Sequence, residues 1–383
     1  MTDTGHSRRA ALTALAGGTA AFCCPQLAAA QDAIQGAPID SGPRTGLSSQ
    51  RARWWKAVGQ GKIECQLCPH QCRVANRERG SCGVRENVGG DYVALSYARP
   101  CAIHLDPIEK KPFYHVLPGK TALSVGLPGC NLQCKFCQNW EIAQVRPEQV
   151  QTFARSADEI VKLARRRGAP TIAATYSEPV VWSEYVYDVG AAAKRAKLRM
   201  LMVTNGFIQS RPMLDLLGVL SAVKVDLKAY TDKFYQNQCG GKLQPVLDTL
   251  RLLARKKVWT EIVVLVIPGL NDSEHETRSL ARFVKKDLGA SVPVHFTRFH
   301  PSYRLQNVPS TPVRTLTRVR RIALDEGLQF VYVGNVPGHP GNHTYCPGCG
   351  KVLIRRVGMV TVKNTLSGGK CSNCKRAIPG VWS

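Results

Sequence analysis

From residue 121 onward, short apolar runs punctuate the chain at 121–126, 171–175, 199–204, 222–226, 261–267, 292–298 and 330–333. Each is four to seven residues long, the length of a buried strand. Between them, segments at 157–167, 185–196, 245–255 and 274–288 repeat apolar residues at helical spacing. Strands alternating with helices predict an α/β fold around a parallel sheet. Barrels of this kind collect their chemistry at the carboxyl ends of the strands. Polar residues stand at those positions: Glu178 after the second run, Thr204-Asn205-Gly206 closing the third, Asp226 and Lys228 closing the fourth, and His300 after the sixth.

The ends of the chain read differently. Ser7-Arg8-Arg9 precedes an apolar run over 10–22, and Ala28-Ala29-Ala30 offers a cleavage site. This is the layout of a twin-arginine export signal over 1–30, which predicts a periplasmic protein, or a cytoplasmic one if the signal is not processed. Cys23 and Cys24 would leave with it. Residues 31–50, rich in Gly, Pro, Ser and Gln, read as a linker. No later stretch reaches the roughly 18 apolar residues of a membrane span, so no integral membrane segment is expected.

With 44% hydrophobic and 21% charged residues, the composition excludes a disordered chain. The balance of 52 basic against 27 acidic residues gives +25. That charge predicts attraction to nucleic acid, anionic membrane surface or acidic partners, and is silent on fold.

Eleven of the fifteen cysteines fall into three clusters. The first is Cys65-x2-Cys68-x3-Cys72-x9-Cys82, the second Cys130-x3-Cys134-x2-Cys137. The third is Cys346-x2-Cys349, then twenty-one residues, then Cys371-x2-Cys374. Two residues between thiolates let one turn present both sulfurs to a metal. Cys101 and Cys239 stand apart and read as small buried residues. The middle cluster supplies three thiolates, one fewer than a four-iron cubane can take. One iron would stay open to a substrate group, here the amino and carboxylate groups of S-adenosylmethionine (SAM).

That motif resembles the radical SAM signature. The stretch Gly129-Cys130-Asn131-Leu132-Gln133-Cys134-Lys135-Phe136-Cys137-Gln138-Asn139-Trp140 is similar to glycyl-radical-enzyme activases of the pyruvate formate-lyase activating type. So are Thr204-Asn205-Gly206, Val225-Asp226-Leu227-Lys228, and Val266-Ile267-Pro268-Gly269-Leu270-Asn271-Asp272. The Asp106-Pro107-Ile108-Glu109-Lys110-Lys111-Pro112-Phe113-Tyr114-His115 stretch and the cysteine-rich ends resemble the radical SAM member of the AmmeMemoRadiSam system. The resemblance implies a partial (β/α)6 TIM-like barrel over 119–335, after a cysteine-rich segment at 51–118. It also implies a [4Fe–4S] cluster held by Cys130, Cys134 and Cys137. Phe136 would lie against adenine, and Glu178 would bind the methionyl amine. Asp226, Lys228 and His300 would contact SAM, with Thr204 near the same pocket. Val203 stands where those activases carry an acidic residue. The implied chemistry is reductive cleavage of SAM to methionine and a 5′-deoxyadenosyl radical that abstracts hydrogen from a substrate the sequence does not identify. An electron donor is needed, and a protein substrate or Memo-type partner is implied.

The outer clusters are separate. Residues 336–383 read as a zinc-ribbon-like module in which Cys346, Cys349, Cys371 and Cys374 close around structural zinc. Residues 341–383 contain no acid and seven basic residues: Lys351, Arg355, Arg356, Lys363, Lys370, Lys375 and Arg376. They predict a solvated basic face or, less favoured, a nucleic-acid contact. Cys65, Cys68, Cys72 and Cys82 suit either zinc, the preferred reading, or an auxiliary iron–sulfur cluster. The charged segment 106–115 reads as an active-site lid or substrate contact. Three functions follow: a radical SAM enzyme acting on a protein or small molecule, a radical SAM enzyme modifying nucleic acid, or a non-catalytic iron–sulfur or zinc protein.

Overall fold

Seven parallel strands and one antiparallel edge strand form the central sheet of the computed structural model, which describes residues 46–383. The export-signal reading and most of the expected linker lie outside these residues. The strands are β1 (Ala102–Pro107), β2 (Thr121–Gly126), β3 (Thr171–Ala174), β4 (Arg199–Thr204), β5 (Ala222–Asp226), β6 (Trp259–Val266), β7 (Val294–Arg298) and β8 (Val331–Gly334). Each pairs with its neighbour in chain order, so the sheet curls into a partial barrel. β3 is buried along its whole length and β2 on all but its first residue, as parallel strands covered on both faces must be.

The covering helices are α1 (Ala157–Arg166), α2 (Ser183–Arg195), α3 (Ser210–Leu217), α4 (Leu243–Arg255), α5 (Glu274–Phe283) and α6 (Val313–Asp325). α1 begins at a capping box: Ser156 Oγ accepts from the Glu159 N–H, and Glu159 accepts from the Ser156 N–H. It buries Ile160, Val161, Leu163 and Ala164. The helix expected over 274–288 is α5 followed by a wider π turn at Val284–Leu288. α3 and α6 were not expected. α6 is rich in Val, Thr and Arg, which blur the helical pattern, yet it buries Leu316, Val319, Ile322 and Ala323.

β1 corrects the placement of segment 106–115. It runs antiparallel to β2, pairing Ala102 with Gly126 and Pro107 with Thr121. The chain therefore leaves β1 at the amino ends of the barrel strands and crosses there as a floor, not a lid over the mouth. Glu261 near the start of β6 accepts from the backbone N–H of Tyr114 (2.9 Å) and His115 (2.9 Å) and pairs with His295 Nε2 (2.8 Å). His115 Nδ1 donates to the Pro379 carbonyl (2.7 Å), which leaves Nε2 to accept from the Tyr332 hydroxyl (2.6 Å).

The C-terminal module completes that floor. A short strand at Thr344–Tyr345 pairs with β9 (Val352–Val357), which pairs with β10 (Val360–Asn364). Leu353, Ile354 and Ile378 share one core with Tyr114, Phe330 and Tyr332. Arg356 is buried: it donates to the Tyr114 carbonyl (2.8 Å) and Thr344 Oγ1 (2.9 Å), and its guanidinium lies 4.0 Å from the Tyr114 ring centroid. One of the seven basic residues expected on a solvated face is thus a docking residue.

At the other end, two small antiparallel sheets frame the first cysteine cluster, with Cys65 on a strand and Cys68, Cys72 and Cys82 in the connecting turns. One joins Gln50–Arg51, Asp91–Ala94 and Arg85–Val88; the other joins Trp55–Ala57, Ile63–Cys65 and Arg73–Val74. A fully buried ion pair between Arg85 and Glu184 ties this region to α2. Among the described residues, no helix is long and apolar enough to cross a membrane.

Candidate active site

The loop after β2 carries Cys130, Cys134 and Cys137. It turns at Gly129, where φ is +100° and a Cβ would lie 2.4 Å from Val84 Cγ1, so only glycine fits. Three neighbouring segments brace it. Asn131 Nδ2 donates to the Phe207 carbonyl (2.7 Å). The N–H groups of Gln133 and Lys135 donate to the carbonyls of Cys239 (2.7 Å) and Gln238 (2.9 Å). Ser302 Oγ donates to the Cys137 carbonyl (3.1 Å), and the Arg304 N–H to that of Lys135 (2.8 Å). Cys239 is fully buried and lies beside Cys134. Its position in the chain, 102 residues beyond Cys137, gave no sign of this. Cys101 is half-buried, its thiol donating to the Gly126 carbonyl.

Cys130, Cys134, Cys137, Phe136, Glu178, Thr204, Asp226 and Lys228 all line one cavity of about 370 Å³ inside the barrel. Glu178 is buried and accepts from Thr204 Oγ1 (2.6 Å), the Asn205 N–H (2.8 Å) and the Val180 N–H (3.0 Å). Burial pushes its carboxyl up to about 7 against the pull of those donors. Thr204 therefore orients Glu178. Asp226 pairs with Lys224 and with Lys228 Nζ (3.0 Å). Burial would raise its carboxyl, but the two lysines outweigh it and hold it down to about 2. Phe136 packs against Phe234, ring centroids 5.7 Å apart. His300 stands outside this group: it is exposed, bonded to Ser310 Oγ (3.0 Å), and is not on the cavity wall.

The floor contributes side chains that the strand-end rule could not find. Lys110, Lys111 and Pro112 line the cavity, and so does Met359 at the tip of the β9–β10 hairpin. Asp106 is wholly buried between Lys111 Nζ (2.6 Å), Lys110 Nζ (3.0 Å) and the Tyr176 hydroxyl. Lys111 Nζ also sits 4.0 Å from the Tyr176 ring centroid. Burial lowers its ammonium to about 8 although Asp106 opposes this.

The donor set at Cys130, Cys134 and Cys137 fits an iron–sulfur cluster. The three thiols feel one another's charge, the Leu132 N–H points at Cys130 Sγ (3.4 Å), and Asn205 Nδ2 reaches the same sulfur (3.8 Å). At the far end, Cys346, Cys349, Cys371 and Cys374 bring their sulfurs within 4.8 Å of one another, a set suited to one tetrahedral ion.

A family model described as the radical SAM superfamily matches residues 124–281, from β2 into α5. An uncharacterized protein of Methanocaldococcus jannaschii is 40% identical over 80% of this chain and 91% of its own length. The pyruvate formate-lyase 1-activating enzyme of Escherichia coli K12 is 26% identical over 53% of this chain and 89% of its own. The isethionate sulfite-lyase activating enzyme of Desulfovibrio desulfuricans is 27% identical over 32% of this chain and 39% of its own. A three-cysteine loop, an acidic and a basic strand-end group facing the same cavity, and these likenesses agree: the chain belongs to the radical SAM superfamily.

Proposed function

We propose that the chain binds SAM in the barrel cavity and directs a radical onto a substrate hydrogen, in the manner of an activating enzyme. The observation that carries this is the single cavity shared by Cys130, Cys134, Cys137, Glu178, Asp226 and Lys228. When bound, the cluster and SAM supply reductive carbon–sulfur cleavage and a 5′-deoxyadenosyl radical. The protein's part is placement. Glu178, oriented by Thr204 and the Asn205 N–H, offers a carboxylate to the methionyl ammonium. Lys228, held by Asp226, offers a cation. Phe136 offers an apolar wall, and the floor excludes water from below. The C-terminal quartet is read as a closed zinc site that holds the hairpin against the barrel.

The activase reading draws on two relatives whose names are those of lyase-activating enzymes. A protein substrate is the corresponding class. Anaerobic reconstitution with SAM and dithionite tests the core of the reading: 5′-deoxyadenosine should accumulate, and its absence would sink it. Export by the twin-arginine route is part of the same proposal and is checked by cell fractionation.

A further inference from the structure

The two outer cysteine quartets share a composition and differ in spread. Cys346 and Cys374 sulfurs lie 3.5 Å apart, and Cys349 and Cys371 sulfurs 3.8 Å. Zinc–thiolate bonds of about 2.3 Å at tetrahedral angles put sulfurs roughly 3.8 Å apart, as found there. Among the described residues, this is the only group of three or more ligand atoms within 4.8 Å of one another. No three of Cys65, Cys68, Cys72 and Cys82 come so close, and neither do Cys130, Cys134 and Cys137.

The N-terminal four are nonetheless one group. Cys65 feels the charge of Cys72, Cys68 that of Cys65 and Cys82, and Cys82 that of Cys65 and Cys72. The Ser81 N–H points at Cys72 Sγ (3.4 Å). Cys130 receives the Leu132 N–H in the same way. Thiolates on the outer corners of a four-iron cube stand farther apart than thiolates around one ion. Like the trio at Cys130, Cys134 and Cys137, this quartet does not close to within 4.8 Å as the zinc-type site does.

We propose that Cys65, Cys68, Cys72 and Cys82 hold an auxiliary iron–sulfur cubane that exchanges single electrons with the cluster at Cys130, Cys134 and Cys137. The exchange, though not the auxiliary cluster itself, rests on the SAM-cleaving reading. The two sites touch. Gly129 packs against the Cys82 carbonyl and Val84 so closely that a Cβ would lie 3.1 and 2.4 Å from them. His70 Nε2, two residues beyond Cys68, bonds to the Asn131 carbonyl (2.7 Å); the Asn131 Oδ1 accepts from Asn205 Nδ2 (2.9 Å), and that nitrogen reaches Cys130 Sγ (3.8 Å). Cys72, Cys82 and Cys130 border a common cleft of about 780 Å³. Wholly buried Arg85 places its cation beside Cys65 and Cys82, where thiolate charge would otherwise accumulate. In the relay, a low-potential one-electron donor protein is oxidised by one electron and the auxiliary cluster is reduced by one. That electron then moves to the catalytic cluster, and no atom or proton is transferred.

The test uses the full chain, reconstituted anaerobically with iron and sulfide, and its Cys130→Ala/Cys134→Ala/Cys137→Ala variant. The variant should retain about four irons and four sulfides per chain against about eight of each in the parent. A variant with no iron and zinc at the N-terminal quartet overturns the proposal. If the variant does not fold, electron paramagnetic resonance of the dithionite-reduced parent decides. Two cubane signals are expected, one shifted by SAM, with mutual broadening when both are reduced. A lone signal that shifts with SAM overturns the auxiliary cluster and leaves the SAM reading intact. Two signals that both ignore SAM uphold the auxiliary cluster and overturn the SAM reading instead. Two signals with no mutual broadening overturn the electron exchange. A Cys68→Ala/Cys82→Ala variant should lose only the signal that ignores SAM.

Discussion

At the carboxyl ends of the barrel strands, polar groups are gathered around a space; at the amino ends they are gathered around one another. Glu178, Thr204, Asp226 and Lys228 bond among themselves in small sets and still face the cavity. Glu261, His115, His295, Tyr332 and Arg356 spend their hydrogen bonds on one another, on the backbone of Tyr114 and His115, and on the C-terminal module. The first arrangement leaves capacity for a ligand. The second closes a hole that an open barrel would leave. The difference teaches that a buried charge marks a binding site only when its partners do not exhaust it.

The comparison breaks most sharply at Asp106, which the floor lysines enclose. Replacing Asp106 with Ala should cost about 3–5 kcal/mol in chemical unfolding, because Lys111 is left buried without its partner. Asp106→Ala/Lys111→Met should recover part of that loss. A cost near zero for the single variant would mean the floor is not built by mutual satisfaction.

Acid should act on the floor next. Burial lowers the imidazole of His115 to about 4, and that of His295 also falls. A base whose folded value is depressed contributes stability above its unfolded value, near 6.5, and loses it as pH falls. The carboxyl of Glu261, held down despite its burial by His295 and its backbone donors, changes stability in the same direction. The unfolding free energy should therefore drop by about 3 kcal/mol from His115 alone between pH 6.5 and 4. A His115→Gln variant should show a shallower slope, and an unchanged slope would remove His115 from the account. The groups facing it are Glu261, His295, Arg356 and the Tyr332 hydroxyl.

The mouth should respond in binding and not in folding. Glu178→Gln should weaken SAM by roughly 10- to 100-fold in calorimetric titration, the loss of a charge-assisted bond. Its free carboxyl holds a proton until about pH 7. SAM affinity should thus rise as pH climbs through that value, and the glutamine variant should be flat there. Met359→Ala is the smallest change. Met359 is 39% exposed at the hairpin tip, so stability should move by less than about 1 kcal/mol while the cavity floor widens.

Much of the mouth was legible because its residues are close in sequence or sit at strand ends. Cys130, Cys134 and Cys137 lie on one loop, and Glu178, Thr204 and Asp226 close or follow apolar runs whose ends the pattern locates. His300 obeys the same rule, yet its side chain turns to solvent and Ser310, a rotation that strand position does not encode. Cys239 was legible to no rule, since only the fold brings a segment 105 residues away against Cys134. Segment 106–115 was recognisable as dense in chemistry, but its place depended on the direction of β1. Hydrophobic pattern gives a strand its faces and not its polarity in the sheet.

The cysteines divide along the same line. Their spacing alone sorted eleven of them into three clusters and gave the middle one three sulfurs where the others have four, because turn geometry is local. How far apart four sulfurs stand when assembled is a tertiary quantity. It depends on where the turns that carry Cys68, Cys72 and Cys82 stand relative to the strand that carries Cys65, and the closure of four sulfurs within 4.8 Å at Cys346, Cys349, Cys371 and Cys374 has no counterpart at that quartet. Local spacing chose which cysteines can share a turn, and packing chose the size of the space between them.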